Sequence, residues 1–153
     1  PLFAHTDGWQ WTPDLIWFNN LSSFGTTNYY VQKLFSVNKG TNVLSMLKDK
    51  KSLTGQNGLF ASAAFDKATG EIILKIVNAS DKALIEPVVI QSARKLAPAG
   101  KMTVLESKNP DETNSIEKPE NVAPQERQIT IKGNKLDLNL DPLSFTVIRL
   151  KTL

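Results

Sequence analysis

After about residue 57 the chain repeats one pattern: short runs with apolar residues at every second position, parted by Gly, Asn, Asp or Pro. Ile72, Leu74 and Ile76 share one such face, and Leu136, Leu138 and Leu140 share another, with Asp137 and Asn139 turned outward. Period-two alternation bounded by turn residues is the signature of half-buried strands. "LFASAAFDKATGEIILKIVNAS" reads as two strands around a turn at 66–70. "ALIEPVVIQSA" and "GKMTVLES" follow, with Pro87 marking an edge or a bulge. "RQITIKGNKLDLNL" reads as a hairpin turning at Gly133 and Asn134, and "DPLSFTVIRL" is the last strand. Seven or eight strands of this kind predict a mainly β fold, an antiparallel β-sandwich of jelly-roll or Greek-key type. The stretch 107–126 has three prolines and only Ile116 and Val122 as larger apolar residues, and is expected to be a long surface loop.

The first quarter is made of different material. Nine of the twelve aromatic residues lie between Phe3 and Phe35, and all three tryptophans lie in "GWQWTPDLIWFNN". In "TTNYYVQKLFSVNKG", Tyr30, Val31, Leu34 and Val37 fall on one stripe at helical spacing, with Thr26 or Thr27 as cap and Lys39-Gly40 as stop. The apolar run at 15–18 is too short for a helix and fits a strand buried on both faces, as in a parallel sheet. Strand and helix make one βα unit with no neighbour for its strand. "SMLKDKKSLTGQNG" reads as a solvated connector between the two textures.

Composition excludes several functions. Eighteen basic and fifteen acidic residues, interspersed, leave a charge of +3, which argues for neither nucleic acid nor an anionic membrane. There is no cysteine and no apolar stretch of membrane-spanning length. His5 is the only histidine, so no histidine pair can hold a metal, and a solvent-facing or locally bonded imidazole is preferred to a catalytic base. Paired carboxylates could hydrolyse glycosides from a shared cleft, but Glu71, Glu86, Glu106, Glu112, Glu117, Glu120 and Glu126 fall at hairpin ends and in the polar loop. No catalytic residue, metal or cofactor is expected. "NLS" at Asn20 and "NAS" at Asn78 match the glycosylation pattern, which is too common to weigh. Trp17 reads as core, whereas Trp9 and Trp11 suit either a core or a platform on which sugars stack. The opening "PLFAH" reads as a chain cut in mid-stride, a piece of something longer.

"PLFAHTDGWQWTPDLIWFNN", "GTTNYYVQKLFS" and "NKGTNVL" resemble the last barrel segment of family fifty-one α-L-arabinofuranosidases. "LFASAAFDKATGEIILKIVNASDKA", "NSIEKPENVAPQE" and "LDLNLDPLSFTVIRLK" look like the C-terminal domain of the same enzymes. Thr27 stands where the family often has Pro, and either residue opens a helix. The resemblance implies a (β/α)₈ barrel joined to a β-sandwich. On that mapping residues 1–5 are the tail of the seventh barrel helix, 14–19 the eighth strand and 27–38 the eighth helix. Residues 1–41 are then the barrel segment and 42–153 the sandwich. The loop after a barrel strand lies on the catalytic face, so Asn19, Asn20 and Ser22 approach the sugar site of the whole enzyme, while Trp9 and Trp11 lie on the opposite face. Such enzymes are retaining hydrolases whose two glutamates lie on earlier strands, outside these 153 residues.

The resemblance thus implies a non-catalytic C-terminal portion whose parent removes arabinofuranosyl units from arabinan or arabinoxylan. Its partners are the rest of the barrel and, through the parent, an arabinose-containing polysaccharide, which suggests a secreted or periplasmic setting. With its neighbours missing, the strand carrying Leu15, Ile16, Trp17 and Phe18 is expected to self-associate. Two alternatives stand beside it: a structural or partner-binding β-domain, and an independent carbohydrate-binding module. The module needs an exposed aromatic row, for which only Phe60, Phe65 and Phe145 are available.

Overall fold

The computed structural model describes residues 2–8, 14–92 and 94–153. Three short strands come first: β1 (Phe3–His5), β2 (Ile16–Phe18) and β3 (Ser23–Gly25). They precede α1 (Thr27–Val37), β4 (Asn42–Leu44), β5 (Leu47–Lys48), β6 (Lys51–Ser52), β7 (Thr54–Gln56), β8 (Leu59–Asp66) and β9 (Glu71–Asn78). The remainder is β10 (Leu84–Val89), β11 (Ala99–Glu106), β12 (Gln125–Thr130), β13 (Lys135–Leu140) and β14 (Ser144–Lys151).

The principal sheet runs β12-β11-β14-β9-β8-β4, with β7 also paired to β8, and all its pairings are antiparallel. Both of its faces are covered, which is why β9 and β14 read as almost unbroken apolar runs. On the inner face Ile72, Leu74 and Ile76 meet Ile148 and Leu150, and Leu136, Leu138 and Leu140 of the β10–β13 ribbon close over them. On the outer face Ile73, Val147, Leu105 and Phe145 receive Leu34 of α1 and Val122 of the long loop. Burial of this aliphatic surface from two sides is the main stabilising term. The architecture is an antiparallel β-sandwich with a helix laid on its back.

Several expectations are corrected. Residues 3–5 are a strand, not a helix tail, and they pair in parallel with β2, Ala4 opposite Trp17. On its other side β2 pairs antiparallel with β3, so it has two neighbours, and a hairpin rather than a plain loop leads towards the helix. The helix itself is capped by Thr26, whose Oγ1 accepts the Tyr29 N–H. That makes Thr27 the first helical residue, the position at which Pro is also tolerated. The helix closes at Asn38, which donates to the Leu34 carbonyl. Val37 is 61% exposed and takes no part in docking, because the chain turns away to β4 at that level. Tyr30, Val31 and Leu34 do dock.

The connector at 45–58 is not a plain linker. It forms the β5–β6 ribbon and β7, packs Met46 and Leu53 on the core, and ties Lys48 to Glu86 at 2.6 Å. Nor are β12 and β13 a hairpin. The turn is formed, with Gly133 at φ 68 and Lys135 N–H bonded to the Lys132 carbonyl. Yet β12 pairs with β11 while β13 crosses to β10 in the other sheet. Only in the second sheet can Leu136, Leu138 and Leu140 cap the inner core. Pro87 sits on β10, which has β13 as its partner, and its missing N–H leaves the edge position undisturbed.

Candidate functional site

Parallel strands end together. Thr6 N–H donates to the Phe18 carbonyl at 3.0 Å, so the segment leaving β1 and the turn leaving β2 start at the same end of the small sheet. In that turn Asn19 Oδ1 accepts the N–H groups of Leu21 and Ser22, at 3.2 and 2.8 Å. Asn19 N–H donates to the Ser22 carbonyl, and Asn20 sits at φ 67, a conformation Asn tolerates better than most residues. This turn is compact and self-satisfied.

The long loop 107–124 packs along the small sheet, anchored at Gly25 and reaching the Asn19 end with Ser115, Ile116 and Glu117. Asn114 is buried, and its Nδ2 donates to the Gly25 carbonyl at 2.8 Å and to the Val122 carbonyl at 3.0 Å. Its Oδ1 accepts the Val122 N–H at 2.7 Å. A single carboxamide therefore fixes the loop both to itself and to the start of the helix. Beside this anchor lies a cleft of about 410 Å³ lined by Thr6, Asp7, Asn19, Phe24, Ser115, Ile116 and Glu117. Ser115 Oγ donates to Glu117 Oε2 at 2.8 Å, and that hydrogen bond is the main reason the Glu117 carboxyl lies below its ordinary range.

Of the residues expected near a substrate, Asn19 lines this cleft, whereas Asn20 and Ser22 are exposed on the turn and are not among its lining residues. Trp9 and Trp11 lie outside the described residues. His5 Nδ1 accepts the Asp7 N–H at 3.1 Å and its ring meets Phe18 edge-on, the locally bonded one of the two arrangements expected. Ser115 and Glu117 were not singled out from the sequence as partners of Asn19. The signal available was "NSIE", a polar loop with one apolar residue held among its prolines.

A larger hollow of about 760 Å³ lies inside the sandwich, lined by aliphatic residues such as Leu53, Leu74, Val88 and Leu140, with Lys48 and Glu86 also on its wall. Phe60, Phe65 and Phe145 form no common row. Phe65 packs on the inner core, Phe145 is buried on the outer face against Phe35, and Phe60 is 44% exposed by itself. Asn78 of the "NAS" pattern is fully buried, its Nδ2 held by the carbonyls of Lys82, Leu140 and Asp141, so it cannot carry a glycan in the folded chain. Among the described residues no three His, Cys, Asp or Glu side chains are grouped to hold a metal, and no helix is long and apolar enough to cross a membrane.

The class so defined is a β-sandwich domain that carries a parallel strand pair and a helix on its outer face, with a polar cleft at the strand ends. The family described as "Alpha-L-arabinofuranosidase C-terminal domain" matches residues 1–144. Arabidopsis thaliana α-L-arabinofuranosidase 1 is 30% identical over 95% of this chain, which spans 22% of that relative's length. An extracellular exo-α-L-arabinofuranosidase of Streptomyces chartreusis is 54% identical over 44 residues, or 29% of the chain and 5% of the relative. Among solved structures, an arabinose-bound family fifty-one α-L-arabinofuranosidase superposes with a TM-score of 0.85 at 27% identity, over 100% of this chain and 23% of the other. The chain belongs to the α-L-arabinofuranosidase C-terminal domain family.

Proposed function

We propose that the chain serves as the non-catalytic C-terminal portion of an enzyme that removes terminal arabinofuranosyl residues from arabinan or arabinoxylan. In this reading residues 1–41 complete the catalytic barrel and 42–153 form the sandwich that braces it. Asn19, Asn20 and Ser22 belong to the turn on the substrate side, and of the three Asn19 lines the cleft. The observation that carries the reading is the seam between the two parts. Leu34 is seated among Ile73, Leu105 and Val147, and Asn114 bonds the Gly25 carbonyl, so the βα segment is held by the sandwich rather than trailing from it. A sandwich built this way positions the end of a barrel, and a secreted or periplasmic setting follows from a polysaccharide substrate.

The test is a pair of assays on a nitrophenyl α-L-arabinofuranoside. The 153-residue chain should release no arabinose and the full-length protein carrying it should release it. Turnover by the highly purified chain that a substitution within it abolishes would sink the reading.

Apart from the rest of a barrel, the chain is further proposed to self-associate through the small sheet that carries Leu15, Ile16, Trp17 and Phe18. Its β1 edge has β2 as its partner and carries exposed Leu2 and Phe3, while Leu21 (93% exposed) stands out on the turn between β2 and β3. Light scattering at high concentration should give a dimer or larger, and a monomer would defeat the proposal.

A further inference from the structure

We propose that the cleft between Thr6–Asp7, Asn19 and Ser115–Glu117 is a binding subsite for a neutral sugar unit, and that Glu117 and Ser115 of the sandwich loop are its specificity-determining residues. The proposal rests on the hydrolase reading above and goes beyond it. It assigns to the sandwich a direct part in choosing the glycan from which the arabinofuranosyl unit is removed.

The lining chemistry selects the ligand class. Asp7 and Glu117 offer carboxylates, Thr6 and Ser115 hydroxyls, Asn19 a carboxamide and Phe24 a ring. Carboxylates accept hydrogen bonds from the hydroxyls of a polyol, and an aromatic ring covers the apolar face of a sugar. No Lys, Arg or His is among the described lining residues, and the two carboxylates disfavour an anionic ligand. A volume of about 410 Å³ lies within the range of small-ligand sites.

The site is also pre-organised. Ser115 Oγ orients the Glu117 carboxylate, and Lys118 N–H holds Ser115 Oγ in turn at 3.1 Å. The hydrogen bond from Ser115 holds the Glu117 carboxyl below its ordinary range. The buried Asn114 ties this loop to Gly25, at the other end of β3 from the turn, so the loop that carries Ser115 and Glu117 is fixed to the small sheet that carries Asn19 and Phe24. Binding energy realised on a neighbouring sugar, away from the bond being cleaved, affects KM for extended substrates and leaves a simple aryl arabinoside untouched.

The experiment uses the full-length enzyme carrying this chain, with Glu117→Gln and Ser115→Ala, on a nitrophenyl arabinofuranoside and on a linear arabinotriose. Loss of a charge-assisted hydrogen bond should raise KM for arabinotriose about tenfold in Glu117→Gln, with kcat little changed. Ser115→Ala should give a smaller rise, about threefold, because Glu117 keeps its charge but loses its orientation. The nitrophenyl substrate should be handled as by wild type. Unchanged kinetics on both substrates would overturn the proposal. So would an equal loss on both, which would place Glu117 in the arabinose-holding site or in the fold. A wild-type enzyme inactive on both substrates would instead defeat the hydrolase reading, and this inference would fall with it.

Discussion

The two faces of the principal sheet are made of the same strands but do different work. The inner face is dry and aliphatic: Ile72, Leu74, Ile76, Ile148 and Leu150 against Leu136, Leu138 and Leu140. The outer face mixes aliphatic contacts with polar anchors. Arg149 Nη1 reaches Asn38 Oδ1 at 3.1 Å and its other nitrogens pair with Glu71, while Lys75 lies 4.8 Å from the Phe35 ring and Asn114 bridges to Gly25. Polar groups in such a seam fix geometry more than they add net stability, since each must first be desolvated. The inner face therefore holds the domain folded, and the outer face holds the βα segment in one position.

The largest effect should come from the inner face. Leu138→Asp places an unpaired carboxylate at a site 1% exposed, at a cost of several kcal/mol, which approaches the whole stability of an ordinary domain. The variant should be unfolded by circular dichroism at room temperature, and Leu74→Asp should behave alike. The milder Leu138→Ala should cost about 2–5 kcal/mol. A Leu138→Asp protein melting within about two degrees of wild type would show that this face is not the one that holds the domain.

A smaller and more local effect is expected at the seam. Asn114→Ala leaves the Val122 N–H and the carbonyls of Val122 and Gly25 without their partner, a loss of about 1–3 kcal/mol. By hydrogen exchange the added exchange should appear in α1, β3 and the loop 107–124, with β9 and β14 protected as before. Deprotection spread evenly over both sheets would erase the distinction between the faces.

That same distinction governs how much could be read from the sequence. The inner face was legible because its period is local. Ile72, Leu74 and Ile76 announce their own strand, and Gly133 announces its turn. Which strand β13 pairs with is not local, and β12 and β13 separate into different sheets although the turn between them is as expected. Residues 3–5 are too few to show any period, so their parallel pairing with β2 was hidden. In the candidate site, Asn19 was legible as the residue after a strand. Ser115 and Glu117 were not, since what makes them part of a site is Asn114, and a polar residue in a polar loop carries no mark of its burial. The carbonyl of Gly25 that draws it inward lies 89 residues away.

The smallest effect should arise where the two sheets meet, away from the seam. Glu106 at the end of β11 bonds Arg127 at 3.0 Å, and Arg127 reaches Asp141 at 3.5 Å. Burial first, and then the hydrogen bond and charge of Asp141, push the Glu106 carboxyl above its ordinary range, and Arg127 offsets only part of this. A carboxyl raised in this way binds its proton more tightly in the folded chain than in the unfolded one. Its contribution to stability is complete below the ordinary glutamate range and is lost as pH rises through the folded value. Glu106→Gln removes the titration but keeps the shape. Its melting temperature should therefore gain on wild type as pH rises from about 4 to about 7. The gain should shrink when the comparison is repeated in an Asp141→Asn background, where the repulsion is removed but burial, the first cause, remains. Parallel melting curves for wild type and Glu106→Gln across that range would mean that Arg127 neutralises the pair in full. A gain that depended instead on Asn114 would tie this corner to the seam and undo the separation of the two faces.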